Sequence, residues 1–403
     1  MLGSPELTKA VDKLKEMAWA LSGRERVPSK DYTPPSHDDR VRRVGAATAG
    51  AVADYIEQVR QRYPDEPFES AMTLMQLSDI WDRLKATFKA RNLYQGRIGT
   101  LNDPYFAAAP LGTLEACSLV DRKGNAALVF DSFQFFAVPI ICCEIARMLA
   151  RTALDIPPAV IDMVSMSEDD IQEGVNTLSI VLNILTRKIR SLLVFTHLLG
   201  LTIKKANPAV DSIMKELESG FHVFVVGHEL GHFLYGHHDT IAQKIASGAP
   251  ESEIEEAHFV SEYMADYFGI QCVLNSWASQ AESADDRAGD RLGLNLLGML
   301  SFFYFCDSVE LIKLSERLRK FNFSVRRSTT HPPARSRLDA AFNILKTLTG
   351  ADERKNAIVA RVKNLFDMAT GKAMSRALSM PIDEDDLDET EEVVFNAYHL
   401  RSF

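Results

Sequence analysis

Two histidines four residues apart, His228 and His232, with Glu229 directly after the first, have the types and spacing best suited to chemistry in this chain. On an α-helix, positions i and i+4 share one face about one turn apart, so both imidazoles can reach one ion. Glu229 is rotated off that line, where it can hold a water without ligating the metal itself. His228-Glu229-Leu230-Gly231-His232 is thus the HExxH arrangement of zinc peptidases. The plain alternative is a buried helix whose two histidines are satisfied by hydrogen bonds. Phe221, Val223, Phe224, Val225 and Val226 lead into the motif. Desolvating two imidazoles and a carboxylate in so apolar a segment is costly unless something binds them.

A catalytic zinc takes three protein ligands and keeps an open position for water. The stretch 253–277 reads as a helix, and on it Glu262 and Asp266 lie four apart on one face, with Ala265 and Gly269 as small neighbours. Small residues permit close packing against the motif helix. Glu262 would then complete a His₂Glu site, and Asp266 could accept a hydrogen bond from the far nitrogen of a ligand histidine and fix its tautomer. The bland reading of this pair is an ordinary solvated helix face. A rival third ligand is His238, at the spacing HExxHxxGxxH requires, but Tyr235 stands at the glycine position and Gly236 comes one place late. Otherwise His237 and His238 read as surface or cleft-rim histidines in a loop.

After Glu262-x-x-Ala265-Asp266 comes Thr330-His331-Pro332-Pro333, with Arg337-Leu338 following. The three elements, in this order over roughly 215–345, resemble the HtpX-type and CAAX-prenyl-protease gluzincins. The resemblance implies a mainly helical zincin-like core with a small sheet, and one zinc ion per chain. It implies His228, His232 and Glu262 as ligands, Glu229 as general base and Asp266 behind a ligand. His331 and Arg337 match the late element: Arg337 is expected to support the site electrostatically, His331 to stabilise the oxyanion or shape the cleft. Those relatives are integral membrane proteins. The longest uncharged apolar run here, Leu292–Cys306, falls short of the ~20 residues that span a bilayer. The peptidase reading therefore carries over, and a membrane or prenylated substrate does not.

Composition bounds the rest. The chain has 403 residues, 46% hydrophobic and 25% charged, with a net charge of −10. That is the balance of an ordinary globular protein, and it argues against nucleic acid as partner because no phosphate-neutralising surface is implied. The 5 cysteines form no CxxC pair, which disfavours a disulfide framework and a thiolate zinc site and fits a reducing compartment. The start of the chain is amphipathic and lacks the features of a secretory signal. These readings point to a cytoplasmic protein acting on a protein or peptide substrate.

The elements that must position the site follow from periodicity. Helices are expected over 1–22, twice within 39–91 with a break at 63–67, and along 132–203 with breaks at Pro139 and 156–158. A further short helix over 206–220 is expected to end at Gly220, before the motif helix. Others cover 285–318, a segment opened by Pro332 and Pro333, and 353–378. Residues 114–120 and 126–131 read as strands joined by the turn 121–125. In zinc peptidases an edge strand beside the metal helix can hold the substrate backbone; a plain structural hairpin fits equally. The expected fold class is mainly α with a small sheet. Its regions are 1–112, helical with a Pro-rich linker at 23–38, then 113–348 as the metallopeptidase domain, and 349–403 as a final helix with an acidic tail. The N-terminal region could receive a regulatory partner, and the tail, acidic at eight of ten positions over 383–392, could hold the enzyme latent. Quality control and stress or defence remain open as roles, and a non-catalytic zinc-stabilised scaffold is the rival from another class.

Overall fold

The computed structural model describes residues 5–21, 71–90, 102–109, 116–121, 123–132, 134–153, 175–179, 181–182, 208–278, 288–321, 332–349, 363, 367 and 370–378. They form helices α1 (Pro5–Leu21) and α2 (Ala71–Ala90), strands β1 (Tyr105–Ala109), β2 (Ala116–Val120) and β3 (Ala126–Asp131), and then helices only: α3 (Gln134–Ala153), α4 (Pro208–Tyr235), α5 (His237–Ala246), α6 (Glu251–Ala278), α7 (Ala288–Phe321) and α8 (Ala334–Thr349). The protein is mainly helical with one small sheet. The first helix expected within 39–91, the breaks at 63–67 and 156–158, the linker and the acidic tail lie outside the described residues.

The chain divides into two compact units. The first holds α1, the beginning of α2 and the sheet, whose order is β1-β3-β2. β2 and β3 pair antiparallel as the expected hairpin, with Cys117 opposite Val129. Asp121 organises its turn: Oδ1 accepts from the backbone N–H of Lys123 at 2.8 Å and of Asn125 at 2.9 Å. β1 pairs parallel to β3, with Ala107 opposite Val129. β1 lies in the region 1–112 expected to be helical, and the expected boundary at 112/113 cuts through this sheet. The run Tyr-Phe-Ala-Ala-Ala is too short and too alanine-rich to announce a strand; it is made one by the partner strand beside it. β3 is buried along its whole length, and α1 lays Leu7, Val11, Leu14 and Ala18 over Ala107, Ala109, Ala127 and Val129.

In the second unit α4 packs chiefly against α6 and α7. It is apolar on nearly every side, with Phe221, Val223, Phe224, Val225, Val226, Leu230 and Leu234 all buried, as expected of a helix enclosed by others. Gly220 does not end a helix; α4 runs through it. A side chain there would collide with the Asn295 carbonyl of α7, so this glycine serves the close approach of two helices. Pro139 likewise lies inside α3. It removes one N–H, and the fully buried Ala137, Val138 and Ile140 hold the helix through it. Over Leu292–Ile312 α7 is long and apolar enough to cross a membrane, yet 72% of that stretch is buried within the fold.

Candidate metal centre

α4 carries His228, Glu229 and His232, all buried, and the helix is held in place by Phe224, whose ring lies 5.3 Å from Phe302 and 4.9 Å from Phe303 of α7. α6 approaches on the side where α4 has glycine: a Cβ at Gly231 would stand 3.1 Å from the Ala265 Cα. This seam of small residues lets Glu262 reach the histidines. Nε2 of His228 and Nε2 of His232 are 3.0 Å apart. Each is 3.5 Å from a Glu262 oxygen, His228 from Oε2 and His232 from Oε1. The three residues are buried, and their ligand atoms fall within 4.8 Å of one another.

Those spacings fit a zinc ion. Four ligands at about 2.0–2.1 Å in a tetrahedron stand about 3.3 Å from one another; here the two Nε2 atoms are 3.0 Å apart, each lies 3.5 Å from a different Glu262 oxygen, and one donor atom per residue falls within 4.8 Å of the others. The electrostatics agree. Burial pulls the His228 imidazole toward neutrality, but hydrogen bonds and charge from Asp266 and Glu262 outweigh it and lift its pKa to about 10. In the ion-free site His228 is therefore an imidazolium, and a divalent cation bound at Nε2 would displace that proton and take over its positive charge. Burial holds His232 well below the ordinary imidazole range, so it stays neutral, as a ligand must.

Behind the three donors runs a buried chain of charge. Nδ1 of His228 lies 3.0 Å from Asp266 Oδ1. If Nε2 faces the ion, Nδ1 carries the proton and donates it to Asp266. Arg337, 3% exposed, grips the same carboxylate twice, Nε donating to Oδ2 at 2.8 Å and Nη2 to Oδ1 at 2.7 Å. Its guanidinium sits 5.8 Å from the Phe302 ring centre and 5.7 Å from that of Phe303. Burial alone would raise the Asp266 pKa, but the charge and hydrogen bonds of Arg337 and His228 reverse it and hold the carboxyl below its usual value. α8 can present Arg337 because its start is anchored to α7: Ala334 N–H donates to Glu310 Oε2 at 3.0 Å, and Arg335 reaches Asp307 at 3.4 Å. Pro332 and Pro333 precede that first turn. Arg337 therefore acts on Asp266, with Nη2 3.8 Å from Glu262 Oε2, rather than as a group placed to touch substrate.

His331 lies outside the described residues. His238, the alternative third ligand, has its ring 6.0 Å from that of His232 and stands outside the donor group. His237 corrects the expectation of a rim residue in a loop. Gly236 takes a left-handed conformation (φ 65°), and α5 begins at once with His237 turned inward, 5% exposed. Its Nδ1 is 2.9 Å from Nδ1 of His232. Burial depresses its pKa to about 4, with Glu262 acting the other way, so it too is neutral. The signal that could have found it was the glycine: a displaced Gly236 alters the direction in which the next residue leaves α4.

No family model, curated protein or solved structure matches the chain at a significant level. The likeness to known peptidases rests on the motif residues themselves.

Proposed function

We propose that this chain is a zinc-dependent endopeptidase with a zincin-like, gluzincin-type core, binding one zinc ion through His228, His232 and Glu262. The observation that carries the reading is the buried group of three donors within 4.8 Å of one another, with Glu229 on the same helix turn. The HExxH, ExxAD and late His-Pro-Pro-x-x-x-Arg elements in order support it, and each of the first two contributes to one buried cluster. The substrate class is protein or peptide, and a regulatory partner at the N-terminal helices is part of the proposal.

A zinc ion held there supplies an open coordination position and Lewis acidity toward water and a peptide carbonyl. His228 and His232 hold it with Nε2 lone pairs, and Asp266 and Arg337 keep His228 in the required tautomer. Glu229 accepts a proton at its carboxylate from the attacking water and returns it to the leaving nitrogen. The enclosing Phe224, Phe302 and Phe303 keep the charges in a dry interior, where they act strongly.

Metal analysis joined to cleavage of a mixed peptide library tests this. Wild type should hold one zinc and cleave. Glu262→Ala should lose the zinc, and Glu229→Gln should keep it while cleavage falls about 10²–10⁴-fold. Zinc without cleavage in every library would favour the scaffold reading, and undiminished zinc in Glu262→Ala would return His238 to consideration.

A further inference from the structure

We infer that His237 is a positioning residue for the metal site, accepting a hydrogen bond from His232 Nδ1–H and thereby fixing which nitrogen His232 offers. The inference rests on the proposed ligand set and deepens it.

The contact leaves two arrangements, and the proposed ligand set selects one. The two Nδ1 atoms are 2.9 Å apart, a hydrogen-bond distance, so one carries the proton and the other accepts. If His232 gives the lone pair of Nε2 to the ion, its proton is on Nδ1, and His237 must accept at Nδ1 and carry its own proton on Nε2. Among the described residues this is the one side-chain hydrogen bond His237 makes, and its Nε2 is buried without a partner. A buried imidazole that gives its single bond to a ligand histidine is otherwise an uncompensated cost. Asp239 and Thr240 are exposed, while His237 and Ile241, one turn apart, make the buried face of α5. Two features set the ring: the left-handed Gly236, which turns the chain inward, and Tyr235, whose ring stacks on it at 5.6 Å.

The two ligand histidines are thus backed differently, His228 by an anion and His232 by a neutral ring. Charge explains the choice. Glu229, Glu262 and Asp266 contribute three negative charges and Arg337 one positive, which a divalent ion brings to zero. An acidic residue at 237 would leave the buried site one charge negative; a neutral acceptor orients His232 without that debt.

The test separates hydrogen bonding from packing. His237→Phe keeps the ring and loses the acceptor; His237→Asn loses the ring and keeps an acceptor oxygen near the Nδ1 position. Zinc affinity of the full chain, measured by competition with a chelator, should fall about 10–100-fold in His237→Phe. In His237→Asn it should stay close to wild type. Equal affinity in His237→Phe and wild type overturns the inference and leaves the ligand set standing, as does a loss in His237→Asn as deep as in His237→Phe. If wild type binds no zinc, both fall. A measurement on zinc-loaded wild type does not depend on how the variants fold: ¹⁵N-histidine NMR should show His232 protonated at Nδ1 and His237 at Nε2. A proton on His237 Nδ1 overturns the inference.

Discussion

In the first unit, α1 places Leu7, Val11, Leu14 and Ala18 on the alanines and Val129 of the sheet, and β3 is enclosed from end to end. In the second, α4 and α6 bring two histidines and three carboxylates into an interior equally sheltered, and α8 adds a guanidinium. The two interiors differ in what holds them. An apolar seam is non-directional, and its strength follows the area removed from water. A buried charge cluster is stable only if every member keeps its partner, because one unpaired charge there costs more than the pair contributes. α6 shows both principles on one helix. It buries Glu262 and Asp266 and leaves Val260, Met264 and Tyr267 exposed at 51, 39 and 38%. The same helix buries Ala265, Phe268, Ile270, Cys272 and Val273, so α6 obeys the apolar rule that organises α1 and adds the site's two carboxylates to it.

The sharpest break in this comparison is Arg337→Met. It leaves Asp266 buried with half its partners and should cost about 3–5 kcal/mol in urea unfolding. Zinc affinity should fall as well, by about 10–100-fold. Adding Asp266→Asn should restore part of the stability; a double variant no better than the single would show that the chain is not coupled. Leu128→Ala, at a fully buried position of β3, should cost about 2–5 kcal/mol by the same unfolding assay. Its zinc stoichiometry should remain that of wild type, because the seam has no directional role at the site. A Leu128→Ala protein that folds but has lost its zinc would erase the distinction.

The smallest effect tests a carboxylate outside the cluster. Glu218 of α4 has its pKa raised to about 7, first by burial and then by the charge of Asp211, with Lys215 opposing. A carboxyl whose folded pKa lies above its unfolded value of about 4.3 favours the folded state when protonated. That contribution is complete at low pH and is lost as pH rises through about 7. Glu218→Gln should therefore gain stability relative to wild type between pH 5 and pH 8, by about 1 kcal/mol. A difference independent of pH would mean that Glu218 is ionised throughout.

Local chemistry made much of this readable beforehand. The hairpin turn was legible because Asp121, Gly124 and Asn125 each do a local job, and the end of α4 because Gly236 is where a helix stops. Gly220 misled because a glycine's two uses, ending a helix and admitting a neighbour, look alike until the neighbour is known. β1 was hidden for a related reason, since its strand character comes from the parallel partner β3.

At the site the division is the same. The sequence alone determined that His228 and His232 face one way and that Glu229 does not, since helical periodicity requires it. It also determined that Glu262 and Asp266 share a face. Tertiary structure decided that this face meets the histidines through the Gly231–Ala265 seam, that Arg337 closes on Asp266 from α8, and that His237 turns inward to His232. Contacts across 38 residues, as between His228 and Asp266, or 71, as between Asp266 and Arg337, depend on how whole helices pack. Spacing along the chain carries no trace of that distance.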